Sequence, residues 1–448
     1  VTLTRPGISP IILGIQTLGL KAAVGKGLDP VELNPHKIIM KRLKNIKSGI
    51  KGAMGILFLV FLAELPETVM LGAESRESVE RTISVENAAL YYYQAFIHFP
   101  NDDQINAETV HQIAVNAGIG NLDQRAEQVL DVSYVALELL KTGSQSEFCD
   151  WGVTYGRFPG FGADTMRRCE SLAQLAVTRA RFALRADKPD EAEADITAIL
   201  RLAKHAGRDG LLSNLSTQYS LEAMAFQVIA QHIAEFKTQQ LIRFQDELAS
   251  FSNLSKQEIS QAIRRENEVY IVWAMNQVRN LSIDSDDKFK QLKVKLKRLN
   301  FMSASRAQTP NELLWTLEEM KTFLNKAAEI TALPRDEFEK QKVLFAEKFK
   351  QNPVLQGYLA PDLTQTYYRE VLLNLQRSLV RAALALQLKD SVDFRKIKDP
   401  YVDENFRKIP LKIGFRIESA LKINGQPIWM DFGTHVKKTE EVSEVRLD

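Results

Sequence analysis

Cysteine is nearly absent, and two in 448 residues cannot build the disulfide framework that staples small secreted domains. No stretch reaches the roughly eighteen consecutive apolar residues of a confident membrane-spanning helix. His-Glu-x-x-His does not occur among the six histidines, Gly-x-Ser-x-Gly does not occur at all, and no serine has a motif tying it to a His and an Asp. These absences remove the common signatures of zinc proteases and α/β-hydrolases. No cofactor signature stands in their place. The segment Gly19 to Gly27, GLKAAVGKG, misses the phosphate-loop pattern because Val24 occupies the required glycine position and no Ser or Thr follows Lys26.

What is present is the composition of an ordinary globular protein of one to three domains, 45% hydrophobic and 25% charged. The net charge of +2, from 58 Lys and Arg against 56 Asp and Glu, is unevenly spread. Residues 1–73 carry nine basic against four acidic side chains, which leaves 49 against 52, or −3, for residues 74–448. A weakly acidic body has no bulk attraction for phosphate backbones, so no nucleic-acid partner is expected.

The basic excess has a local origin. From Met40 a basic segment with Lys41, Arg42, Lys44, Lys47 and Lys51 is followed by an apolar run from Ala53 to Ala63, then Pro66 and small residues ending at Gly72 and Ala73. That is the order of a secretory signal peptide. The run spans roughly 16 Å as a helix, too little for a hydrocarbon core of about 30 Å. Residues 40–73 are therefore read as a signal peptide cleaved after Ala73, or as an uncleaved N-terminal anchor lengthened through Leu65. Residues 1–39 precede it and begin with Val, which an over-extended reading frame would explain. They are expected to be dispensable, and any membrane contact is expected only through the signal or anchor.

Between residues 84 and 390 the dominant pattern is helical. Cys169, Leu172, Ala173, Ala176, Ala180 and Ala183 recur on one face of a 3.6-residue repeat. Pro189 opens a second repeat with Asp190 and Glu191 in its first turn, and Ala192, Ile196, Ile199, Leu200 and Ala203 carry it to the stop signals Lys204, His205 and Gly207. Two helices joined across Ala186 to Lys188 must run antiparallel, and their alanines permit close approach, as in tetratricopeptide-like hairpins. Ser255 with Glu258, and Thr309 with Glu312, read as capping boxes. Further helices are predicted over 85–98, 105–118, 121–142, 211–235, 239–250, 256–281, 285–299, 311–331, 335–350 and 362–388. The fold class is mainly α, an irregular helical solenoid or bundle of antiparallel hairpins with a TPR-like pair over 164–207.

The end of the chain differs. Phe415 to Ile423 and Pro427 to Phe432 flank Asn424-Gly425, a strong hairpin signal because both turn positions need positive φ. A small antiparallel β-hairpin region is expected over 391–435, then a charged tail over 436–448.

ENAALYYYQAF (Glu86 to Phe96), CDWGV (Cys149 to Val153), ARFALRADKPDEAEADITAILRLAKHAGRDGLLSNL (Ala180 to Leu215) and GFRIESALKINGQPIWMDFG (Gly414 to Gly433) together resemble a group of uncharacterised, exported bacterial helical proteins. The resemblance covers most of residues 85–433, with Cys-Asp-Trp-Gly its most distinctive motif. It implies a signal or anchor, a helical body and a terminal β-hairpin, and carries over no reaction. The chain departs from the group between Ser391 and Phe406, where a longer linker and a strand would be expected.

Candidate chemistry is sparse. Glu108 and His111 share a helical face, but a di-metal carboxylate bundle needs two such pairs and two further carboxylates, so no metal is expected. Cys149 and Cys169 could be bridged in an oxidising compartment, worth roughly 3 kcal/mol if geometry allows; otherwise Cys149 is a conceivable nucleophile and Cys169 plain core. The loop Asp150 to Asp164, DWGVTYGRFPGFGAD, places four glycines and four aromatics between two helices. Glycines permit close backbone approach and aromatics give contact area at low entropic cost, which makes Asp150, Trp151, Tyr155, Arg157, Phe158 and Phe161 a candidate ligand or partner surface. The competing and stronger reading is that Trp151, Tyr155, Phe158 and Phe161 plug the ends of neighbouring helices. Tyr91, Tyr92 and Tyr93 span most of a helix circumference and read as packing. Lys288 to Arg298, with six basic residues and Leu292, Leu296 and Leu299 at helical spacing, reads as a solvated face before an anionic membrane surface.

Taken together, the residues point to an exported, periplasmic or membrane-anchored helical interaction or scaffold protein of the bacterial cell envelope, without a cofactor, whose partner is a protein or envelope component. The rival is an exported hydrolase or carbohydrate-active enzyme on a helical body. An enzyme should bring together two carboxylates, or a His and a carboxylate, in a deep pocket; a scaffold should present an apolar or mixed groove.

Overall fold

Asn87 starts the helical body by accepting a hydrogen bond from the Ala89 amide at 3.1 Å, satisfying one of the orphan donors of α1 (Ala88–Ile97). The computed structural model describes residues 86–99, 112–113, 124–152, 160–253, 255–281, 286–298, 302–352, 363–389, 391–402, 404–423 and 425–434. The expectations for residues 1–39 and 40–73, Glu108 with His111, most of the helix 105–118 and the charged tail lie outside the described residues. The predicted helix 121–142 is two helices, α2 (Gln124–Val132) and α3 (Tyr134–Ser144), interrupted at the buried Ser133. Gly143 lets α3 approach α1 closely: a Cβ there would sit 2.9 Å from Cε1 of Tyr92.

Next come α4 (Gly160–Arg185) and α5 (Pro189–Gly207). The turn between them closes with the Lys188 amide on the Ala183 carbonyl at 2.8 Å, and Asp187 takes the left-handed conformation, φ 59°, that more often falls to glycine. Cys169, Leu172, Ala173, Ala176, Ala180 and Ala183 are all buried, as are Ala192, Ile196, Ile199, Leu200 and Ala203. The apolar repeat therefore identifies the core face of both helices.

The chain continues through α6 (Leu212–His232), a 3₁₀ turn (Ile233–Glu235), α7 (Thr238–Ala249) and α8 (Lys256–Glu266). The predicted helix 256–281 is continuous but widens into a π-helical segment, Asn267–Val272, before α9 (Trp273–Arg279). The Ser255 and Glu258 capping box forms as expected, with Glu258 N–H to Ser255 Oγ at 3.2 Å and Ser255 N–H to Glu258 Oε2 at 2.6 Å. After α10 (Asp286–Arg298) and the short α11 (Met302–Arg306), α12 (Pro310–Thr331) begins with Thr309 capping the Glu312 amide at 3.1 Å. There the returning carboxylate serves the amide of Gln308 at 2.8 Å, one residue before the cap. The helical body ends with α13 (Arg335–Gln351), α14 (Leu363–Gln387) and α15 (Ser391–Lys396).

The fold is thus mainly helical with a small C-terminal sheet, and that sheet has three strands. β1 (Arg407–Pro410) pairs antiparallel with β2 (Phe415–Ile423), which pairs antiparallel with β3 (Gln426–Phe432). β1 escaped the sequence reading because four residues ending in Pro give no alternation, and a proline is tolerated only at such an edge. It supplies a strand straight after the shortened segment Ser391 to Phe406. Gly425 has φ 77°, as the hairpin requires, while Asn424 lies outside the described residues. The sheet is fastened to the body by the Gly433 amide on the Ala230 carbonyl at 2.7 Å and by Arg335 on the Lys422 carbonyl at 2.8 Å.

Most buried side chains form one cluster running from α1 through α7, α14 and the sheet. A second cluster is built by α8, the π segment, α9, α10 and α12. Among the described residues no helix is long and apolar enough to cross a membrane.

Candidate functional site

Of the residues predicted to form a surface, the structure describes two fully. Asn87, the cap of α1, also grips the Asp150 backbone, donating from Nδ2 to the carbonyl at 2.8 Å and accepting its amide at 2.9 Å. Asp150 Oδ1 accepts the Gly152 amide at 2.9 Å, and Gly152 has φ 64°. The segment is thereby turned so that Trp151 enters the interior, 1% exposed. Its ring stacks on Tyr92 with centroids 5.4 Å apart and meets Tyr93 edge-on at 5.8 Å; its Nε1 donates to the His205 carbonyl at 3.0 Å. Trp151 is a core residue, and its ring is not available to a partner at the surface. Tyr155, Arg157 and Phe158 lie outside the described residues, and Phe161 falls in the first turn of α4, where only the backbone is described.

The three consecutive tyrosines divide as helix geometry requires. Tyr92 is fully buried with its hydroxyl 2.8 Å from His205 Nδ1, Tyr93 donates to the Trp151 carbonyl at 2.6 Å, and Tyr91 turns outward to Glu86 at 2.6 Å. Burial, helped by Arg208 and Lys204, lowers the His205 pKa to about 4, so the imidazole is neutral at physiological pH. The two cysteines are free and buried. Burial pushes the Cys149 thiol up to about 12 and raises Cys169 well above its ordinary value, the reverse of what a nucleophilic thiolate needs.

The densest polar assembly lies between α6 and α14, where the sequence reading looked for none. Arg377 donates from Nε to Glu222 Oε2 at 2.7 Å and from Nη2 to Glu222 Oε1 at 2.6 Å, and its Nη1 reaches the Ser252 carbonyl at 2.7 Å. Gln218 adds a further donor to Glu222 Oε1 at 2.8 Å, and the guanidinium lies 5.0 Å over the Phe251 ring. One helical turn before Arg377, Asn374 donates to Glu370 Oε1 at 3.0 Å, and the Tyr401 hydroxyl donates to the same oxygen at 2.7 Å. Tyr401 is positioned by Asp399, which accepts its amide at 2.9 Å and also accepts from Ser419 Oγ of β2. The array thus ties α6, α14 and the sheet together. Burial raises the Glu370 pKa, with Tyr401, Lys256 and Asn374 opposing.

A signal for this array is present in the sequence: Glu370, Asn374 and Arg377 stand at i, i+4 and i+7, one face of a helix, and all three are buried. Polar residues at core spacing look like a solvated face until the partner helix is known.

Other charged groups serve packing. Arg179 of α4 grips Asp195 of α5 with bonds of 2.9 and 2.6 Å and reaches Glu138 of α3 at 2.8 Å. His232, the last residue of α6, pairs with Glu235 of the following 3₁₀ turn at 2.7 Å. Among the described residues no group of three or more His, Cys, Asp or Glu could hold a metal ion. On α10, Phe289, Leu292 and Leu296 are buried in the second cluster, while Lys288, Lys290, Lys295 and Lys297 face outward.

Compared with protein-family models, with curated proteins and with solved structures, the chain matches none.

Proposed function

We propose that the protein is an exported helical interaction or scaffold protein of the bacterial cell envelope, and that it engages a protein or envelope component through a face formed by α1 and α3. The observation that carries this reading is a set of large apolar side chains on these helices left outside the core. α1 packs against α3, with Gly143 close to Ala88, Tyr91 and Tyr92. Ile97 is 76% exposed and Tyr134 60%, and Val132 and Val135 beside Tyr134 are exposed as well. Large apolar side chains left exposed over neighbouring helices favour a site of association.

In this reading α4 and α5 act as the TPR-like element of a rigid support, with Arg179 and Asp195 bracing α3 against it. The basic, apolar and small-residue order after Met40 supports export. Glu222 weighs against the rival hydrolase reading: both of its oxygens are committed to Arg377 in a buried bidentate pair and are not presented to a substrate.

Affinity capture from envelope extracts, with wild type beside the Ile97→Asp/Tyr134→Asp variant, tests the proposal. A specific partner retained by wild type and lost by a variant of unchanged thermal stability supports it. Equal retention by both removes the α1 and α3 face from the account.

A further inference from the structure

We propose that Tyr219 and Glu370 share one internal water molecule that bridges α6 to α14. The inference goes beyond the functional reading and does not depend on it. Two cross-helix contacts fix the register of these helices: Arg369 with Ser216, and Arg377 with Glu222. Residue numbers rise together along both, so the helices run parallel, and Tyr219 lies level with the turn from Glu370 to Asn374.

Tyr219 is 9% exposed and Glu370 4%. The Tyr219 hydroxyl and Glu370 Oε2 are both buried without a hydrogen-bond partner among the described residues. Their neighbours are already engaged. Arg377 gives Nε and Nη2 to Glu222 and Nη1 to Ser252, while Tyr401 and Asn374 both donate to the other oxygen, Oε1. Glu370 also acts electrostatically on Tyr219, where after burial it is the largest influence raising the phenol pKa, so the two groups face one environment.

A phenol can donate and accept, whereas Oε2 of an ionised carboxylate only accepts. A water between them donates to Oε2 and accepts a hydrogen bond from the phenol O–H, satisfying two buried groups that are costly to leave unpaired. Buried waters occupy such sites, where polar groups converge inside a protein. The result is a polar seam of three bridges between the two helices, with the water lying between the Ser216 and Glu222 contacts.

A crystal structure of the full chain, at a resolution that shows ordered solvent, is the first test. One water within hydrogen-bond distance of both Tyr219 Oη and Glu370 Oε2 is expected; a direct bond between the two atoms, or no density between them, overturns the proposal. Thermal melting of Tyr219→Phe, Glu370→Gln and the double variant is the second. Through a shared water, the double variant melts no lower than the weaker single variant, and additive lowering of the two midpoints overturns the bridge.

Discussion

Arg377 of α14 closes on Glu222 of α6 with two hydrogen bonds of 2.6 and 2.7 Å, and both side chains are withdrawn from solvent. Each neutralises a charge that would otherwise be stranded in the interior. Removing one partner, as in Arg377→Met, leaves Glu222 buried and unpaired and is expected to cost about 3–5 kcal/mol in denaturant unfolding. Replacing both together, as Glu222→Leu with Arg377→Met, is expected to recover most of that loss.

Trp151 anchors the segment after α3 through Tyr92 and the His205 carbonyl. Trp151→Ala is expected to destabilise by about 3–5 kcal/mol, the usual range for emptying a large aromatic site. Trp151→Phe keeps an aromatic ring but loses the bond to His205, and a melting curve should place it between wild type and the alanine variant.

Ala180 is fully buried on the face of α4 that the apolar repeat identifies. Ala180→Glu places an unpaired carboxylate there, and a loss of several kcal/mol is expected, against under about 0.5 kcal/mol at an exposed site. An unchanged melting midpoint would show that the core face has been misassigned.

Glu266 ends α8 where the π-helical segment begins, its carboxylate buried under the backbone amides of Leu212 and Ser213 at the start of α6, which favour its ionised form. Burial raises its pKa from 4.5 to about 7 despite those amides. The folded protein therefore holds this proton between about pH 4.5 and 7 while the unfolded chain releases it, so this group's contribution to stability falls as pH rises through that window. Urea unfolding across the window should show the decline, by about 3 kcal/mol at most. Glu266→Gln keeps an acceptor for the amides and should flatten it.

Much of the architecture is legible in the sequence because local chemistry and tertiary packing agree. Pro189 with Asp190 and Glu191, the Ser255 capping box and the small residues of α4 each mark a boundary or a face without reference to the rest of the chain. Features that depend on a distant partner were not legible. Ser133 breaks a periodic run without any proline or glycine to announce it. The π segment leaves the periodicity of 256–281 intact, and β1 becomes a strand only because β2 lies beside it. Glu222 and Arg377 are 155 positions apart, and neither carries a local sign that it will be buried. Trp151 takes the core position that is the stronger reading of its loop, but the means was not legible: it is the grip of Asn87 on Asp150 that turns the ring inward.

We propose that the exposed apolar side chains of α1 and α3 meet a partner in the cell envelope. A photo-crosslinking residue placed at Ile97 or Tyr134, with one at the exposed Lys326 of α12 as the control, tests it in living cells. Discrete crosslinked species at 97 and 134, absent at 326 and recovered from the envelope fraction, are the expected result. Identical patterns at all three positions, or full-length protein recovered soluble in the cytosol, would contradict the account.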